Sequence, residues 1–201
     1  MLIVFEGIDG SGKDTQIRML LSFFRQHNVA CRLHKYPTEK AKEAFAHLSG
    51  KKTVPAEKLA EIFAGDILAE KARMEKEMGS GFVVVCDRYL HSTLAYQGAK
   101  MGYGKLKEEL EAKNAIVPEM VFILDLDPNL SAGRKSAQKK PDRFEKDARF
   151  LADVRGNYLR MAGEGFLSYK YVVADASKQP DEIFTGIITQ VEPLITKKMG
   201  K

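Results

Sequence analysis

The chain has 201 residues, 44% of them apolar and 29% charged, with a net charge of +5 and two cysteines. That length supports one continuous core without disulfides or structural metal, and the mild positive balance suits an anionic ligand rather than a nucleic-acid partner. Cys31 and Cys86 lie far apart in apolar runs with no zinc spacing, and no apolar run is long enough to cross a bilayer, so a soluble cytoplasmic protein with buried reduced thiols is predicted.

In chain order, Leu2 to Phe5 reads as a short buried strand and Lys13 to His27 as an amphipathic helix with Ile17, Leu20, Leu21 and Phe24 on one face. Between them, Gly7-Ile8-Asp9-Gly10-Ser11-Gly12-Lys13 is a phosphate-binding loop. Its glycines permit positive φ and close approach of backbone N–H groups to phosphate oxygens, Lys13 adds a point charge, and the helix offers its positive end. The residue after the lysine is usually Ser or Thr, whose hydroxyl meets Mg²⁺; here it is Asp14, followed by Thr15.

Further strands are predicted at Val29 to Leu33, Phe82 to Cys86, Met120 to Leu126 and Tyr171 to Ala174. Helices are predicted at Glu39 to Leu48, Ala56 to Met78, Ser92 to Gly98, Asn129 to Ala137, Asp147 to Ala162 and Pro180 to Thr196, with Pro193 kinking the last. Alternating strands and helices, three of the strands apolar on nearly every residue, predict an α/β fold: a parallel sheet with helices on both faces. Ligands of such sheets bind beyond the C-terminal strand ends, where Asp9, Pro37, Thr38, Asp87, Arg88 and Asp127 can converge.

Asp87 and Arg88 follow an apolar strand directly. An acid there can hold a metal-bound water opposite the phosphate loop, and an arginine can grip a second phosphate with two hydrogen bonds. Ser92, Tyr96 and Gln97 enter the next helix beside them. His27, His34, His47 and His91 make no metal spacing and read as surface or helix-end residues, and Ser11 and Ser92 have no histidine pattern for nucleophilic work.

Asp87-Arg88-Tyr89, two residues, Ser92, then Ala95-Tyr96-Gln97, together with Phe5 to Lys13, resembles the thymidylate kinases, and weaker similarity covers nearly the whole chain. The resemblance implies a three-layer P-loop kinase fold with five parallel strands, ATP as donor, dTMP as acceptor, Mg²⁺ and a homodimer, with no membrane or nucleic-acid partner. It implies a single domain over 1–201 with a lid at about 135–143, in which Arg134 and Arg143 carry charge onto the transferring group and Lys135, Lys139 and Lys140 are less suitable substitutes. Lys13, Arg88 and Asp87 complete the implied catalytic set. Gly7 to Thr15 would hold the donor, Asp9 and Asp87 the metal, directly or through water, and Asp9, Phe63, Arg88, Ser92, Tyr96 and Gln97 the acceptor, Phe63 by stacking on the base.

Three places depart from the family. The phosphate loop has no arginine at Gly10, and Ser136 and Gln138 stand where relatives of that kind carry additional lid arginines. Ile67 stands where an arginine usually donates to the pyrimidine carbonyl, and Tyr36-Pro37-Thr38-Glu39 lacks the arginine expected near the acceptor phosphate. A related pyrimidine monophosphate kinase with broader base specificity is therefore one alternative. A P-loop nucleotide switch that binds nucleic acid is the other.

Overall fold

The computed structural model describes residues 1–135 and 147–199, without the side chains of 132–135 and 197–199. Five parallel strands, β1 (Leu2–Glu6), β2 (Cys31–Lys35), β3 (Val83–Asp87), β4 (Met120–Asp125) and β5 (Tyr171–Asp175), form one sheet in the order β2-β3-β1-β4-β5. Every residue of β1 and β3 is buried, and only the last residue of β4 is partly open. Because side chains alternate between sheet faces, burial of every residue means that helices cover both faces. The three apolar runs of the sequence are thus the three central strands, while β2 and β5, with exposed positions, are the edges.

The helices among the described residues are α1 (Lys13–Gln26), α2 (Lys42–Leu48), α3 (Ala56–Ala69), α4 (Lys71–Gly79), α5 (Leu90–Met101), α6 (Tyr103–Glu111), α7 (Pro128–Lys135), α8 (Ala148–Glu164) and α9 (Pro180–Met199). They pack as two groups, α1 with α9, and α5 with α3, α6 and α8. The chain leaves β1 toward β2 and β3 on one side and later adds β4 and β5 on the other, so the strand order switches direction at β1. That switch point is where the phosphate loop lies.

Several predicted boundaries shift for tertiary reasons. The helix predicted over Ala56 to Met78 is two, α3 and α4, divided at Glu70, whose carboxylate turns to Lys40 at 2.8 Å and Arg73 at 3.3 Å. The helix predicted from Glu39 starts only at Lys42, since Thr38 is held by Asp66 through its N–H at 2.7 Å and its hydroxyl at 2.5 Å, beside a cis Tyr36–Pro37 peptide. Strand β2 begins two residues later than predicted, after Asn28 turns the chain at φ 55°. Helix α6 was not predicted at all, and α9 runs on through Pro193 to Met199.

The histidines also differ from expectation. His27 is an exposed helix-end residue, but His34, His47 and His91 are buried. His34 Nε2 pairs with Glu77 at 2.7 Å, His47 Nδ1 accepts the Val54 N–H at 2.9 Å, and burial lowers the pKa of His91 to about 3, keeping it neutral. Each occupies a core position. Cys31 and Cys86 are free thiols, Cys86 buried and Cys31 half-buried.

Candidate active site

A cleft of about 880 Å³ opens beyond the C-terminal ends of β1, β2 and β3. The loop at its floor is shaped by glycine. Gly7 has φ 139°, and a Cβ there would lie 2.6 Å from the Leu124 carbonyl oxygen, so only hydrogen fits between β1 and β4. Gly12, at φ 93°, is the N-cap of α1 and brings the loop's N–H groups to the helix end.

Lys13 is 7% exposed and donates to the carbonyls of Gly7 at 3.0 Å and Ile8 at 3.1 Å. Burial, joined by the Arg88 charge, lowers its pKa to about 8 against the opposing pull of Asp9, Asp87 and Glu6. It remains an ammonium at neutral pH. Ile8 serves the loop through its backbone only, its side chain being buried in the core. Asp9, Gly10, Ser11, Gly12, Asp14 and Thr15 all line the cleft, with the Ser11 hydroxyl buried and without a protein partner.

Asp14, though it lines the cleft, has a side chain three-quarters exposed. Its carboxylate takes the Lys35 ammonium at 2.9 Å, and that hydrogen bond pulls its pKa below the usual carboxylate value. Lys35, the last residue of β2, also reaches Asp87 Oδ2 at 2.7 Å, so one cation joins the ends of three elements. The other Asp87 oxygen, Oδ1, is buried without a hydrogen-bond partner, and Asp87 lines the cleft.

Opposite the loop stands Arg88. Its φ of 70° is one a side-chain-bearing residue adopts at a cost of about 1–3 kcal/mol, sustained only where neighbours hold it. Its N–H donates to the Phe5 carbonyl at 3.0 Å, and its guanidinium donates to Asp9 Oδ1 at 2.5 Å and Ser92 Oγ at 2.9 Å. The Tyr96 ring centroid is 5.5 Å from the guanidinium carbon. Beneath it lies Glu6, wholly buried, its carboxylate accepting hydrogen bonds from Tyr89, Ser92 and Tyr158. Burial pushes the Glu6 pKa up, opposed by the Arg88 charge and by these donors.

Another wall of the cleft is made by Phe63 and Ile67 of α3, Tyr36, Pro37, and Tyr96 and Gln97 of α5. Phe63 is half-buried at the core's edge, whereas Ile67 is 2% exposed and presents hydrocarbon only. Gln97 is 1% exposed, and neither its amide oxygen nor its nitrogen has a protein partner. A buried amide in that state can pair with one donor and one acceptor on a ligand edge.

Most predicted site residues therefore converge. Asp127 and Thr38 do not: the Asp127 carboxylate caps α7 by accepting the Asn129 N–H at 2.8 Å, Thr38 is bound to Asp66, and neither is among the cleft's lining residues. Arg134 lies on α7, its side chain outside the described residues, and Arg143 and the predicted lid lie outside them as well. Sequence reading missed Glu6, Lys35 and Tyr158, and also the stretch of cleft wall made by Gln16 and Ser177 to Pro180, where Gln16 Nε2 donates to the Pro180 carbonyl at 2.9 Å. Glu6 and Lys35, polar residues closing β1 and β2, carried a strand-end signal; Tyr158, in mid-helix, carried none.

The cleft offers one polyanion a glycine cradle and a lysine, and a second anion an arginine on the facing wall, with an aromatic ring and an amide beyond. Two anionic nucleotides held head to head in this way can exchange a phosphoryl group directly, and on this fold that makes the protein a P-loop nucleoside monophosphate kinase. A profile of the family described as thymidylate kinase matches residues 5–187. The chain belongs to the thymidylate kinase family. Similar proteins include the thymidylate kinase of Thermosipho melanesiensis, 31% identical over 97% of this chain and 99% of its own length. The probable thymidylate kinases of Thermococcus onnurineus (34% identical, covering 98% of this chain and all of its own) and Methanocaldococcus jannaschii (35% identical, covering 94% of each) are also similar.

Proposed function

We propose that this protein transfers the γ-phosphoryl group of ATP to dTMP, giving ADP and dTDP. The observation that carries the reading is the facing pair, Lys13 in its glycine cradle and Arg88 across one cleft, in a chain of this family. The reactants repel one another, so catalysis consists of bringing them in line and neutralising their charge. Lys13 and the loop N–H groups hold the donor phosphates. Arg88 grips the acceptor phosphate, Phe63 stacks on the base, and Asp9 faces the acceptor sugar. Arg134 and Arg143 at the lid of about 135–143 deliver charge to the transferring group, a role supported by sequence alone.

The described residues include no cluster of three or more potential metal ligands, and Mg²⁺ needs none: it keeps several waters and binds one or two carboxylates plus substrate phosphates. The partnerless, buried Oδ1 of Asp87 fits that requirement, while Asp9 Oδ1 is occupied by Arg88. Bound there, Mg²⁺ supplies charge neutralisation to the donor phosphates. Asp87 is thus its favoured holder, with Asp9 second.

A broader acceptor range is the second reading, favoured by one observation: Ile67 lines the pocket without a hydrogen-bonding group, leaving Gln97 as the buried amide able to read the base edge. ADP release coupled to a panel of dTMP, dUMP, dCMP and UMP decides between them. A clear dTMP preference supports the first reading, comparable rates with dCMP the second, and nucleotide hydrolysis unaffected by any acceptor overturns both. A single domain over 1–201, a homodimer and a cytoplasmic location complete the proposal. The homodimer rests on the resemblance, the single domain on it and on the chain length, and the location on the free cysteines.

A further inference from the structure

Glu6 ends β1 one residue before the phosphate loop's first glycine, and four donors converge on it. Oε1 accepts the backbone N–H of Tyr89 at 2.7 Å and of Ser92 at 3.2 Å; Oε2 accepts the hydroxyls of Ser92 at 2.6 Å and Tyr158 at 2.9 Å. A hydroxyl has one hydrogen. With both hydroxyl hydrogens turned to Oε2, Ser92 and Tyr158 present only lone pairs to Arg88, whose Nη1 lies 2.9 Å from the Ser92 oxygen and 3.5 Å from the Tyr158 oxygen. The two hydroxyl oxygens also stand 2.9 Å apart, but a carboxylate is the stronger acceptor and wins their hydrogens.

The hydrogen bonds therefore run one way, from guanidinium to hydroxyls to carboxylate. We propose that Glu6 is a positioning residue for phosphoryl transfer: by fixing the direction of the Ser92 and Tyr158 hydroxyls it holds the Arg88 guanidinium in place to receive the acceptor phosphate. This rests on the reading of Arg88 as the acceptor-phosphate grip. It assigns a task to a buried acid that the transfer itself does not use, and it supplies the restraint that the left-handed backbone of Arg88 needs. It also gives Tyr158, which reaches in from α8, a part in acceptor binding.

The substitution Glu6→Gln isolates direction from shape. The amide oxygen still accepts the two backbone N–H groups that anchor α5, but an NH₂ group replaces Oε2 and donates to both hydroxyls; one hydroxyl can pass its hydrogen to the other at 2.9 Å, and the remaining hydrogen turns on Arg88. Tyr158→Phe removes one of the two acceptors and leaves Ser92 correctly turned. The test compares dissociation constants for dTMP and for thymidine, which lacks the phosphate Arg88 would hold, in wild type and both variants, with thermal melting as the check on folding.

Glu6→Gln is expected to weaken dTMP binding about tenfold, the scale of one lost charge-assisted hydrogen bond, and thymidine binding less than about twofold; Tyr158→Phe should weaken dTMP about threefold. Equal losses for both ligands in a folded Glu6→Gln protein, or no loss for either, overturn the proposal. If Glu6→Gln does not fold, a dTMP-to-thymidine ratio unchanged in Tyr158→Phe overturns it instead. Wild-type protein that binds dTMP no better than thymidine removes the functional reading beneath it, whereas a wild-type preference left intact by the variants removes the positioning role alone.

Discussion

Lys13→Met should abolish turnover and at the same time make the nucleotide-free protein more stable. Burial and Arg88 lower the Lys13 pKa from 10.5 to about 8, so the folded protein carries an ammonium it would rather not hold. The drop corresponds to roughly 3 kcal/mol of folding stability forgone at pH 7, where folded and unfolded chains are both protonated. Methionine keeps most of the volume and removes the charge, but the Gly7 and Ile8 carbonyls lose their shorter donor and keep only Arg88 Nη1 at 3.5 Å and the Ser11 N–H at 3.3 Å, a loss of about 1 kcal/mol each. The net gain is about 1–2 kcal/mol, a rise in melting temperature of a few degrees for a chain of this size. As pH rises above 8 the folded wild type releases the proton while the unfolded chain holds it until about 10.5, so wild-type stability rises and the gap should shrink by about 1 kcal/mol between pH 7 and pH 9. Denaturant or thermal unfolding of both proteins at the two pH values, without nucleotide, measures this. A variant less stable than wild type at pH 7, or a gap unchanged by pH, refutes the reasoning.

Asp14→Ala should leave the Mg²⁺ requirement unchanged, because the carboxylate is three-quarters exposed and engaged with Lys35; a shifted Mg²⁺ titration would return Asp14 to the metal. Phe63→Ala should raise KM for dTMP about tenfold through lost stacking, with only a small fall in melting temperature because the ring is half-buried. A large fall with KM unchanged makes Phe63 a core residue instead. Arg134→Lys and Arg143→Lys keep charge but lose the planar fork, so turnover should fall more than ATP affinity; wild-type rates in both variants would move the role to the neighbouring lysines.

The α/β class, the phosphate loop and the strand-end acid and arginine at Asp87 and Arg88 were all legible in the chain, because each is set by local chemistry. Glycine spacing, apolar runs of strand length and polar residues closing them depend on a few consecutive residues and on the general geometry of parallel sheets. What lay beyond reach depends on partners far away in sequence. Glu70 divides α3 from α4 by turning to Lys40, thirty residues earlier, and Thr38 delays α2 by binding Asp66, twenty-eight residues later. His34 looked like a surface residue until Glu77 was brought against it. The direction in which Asp14 turns is set by Lys35, and the guanidinium of Arg88 meets Ser92, itself bound to Glu6, and, from seventy residues further on, Tyr158. A buried polar group takes its hydrogen bonds from whatever the fold brings within 3 Å, and no spacing along the chain encodes that distance.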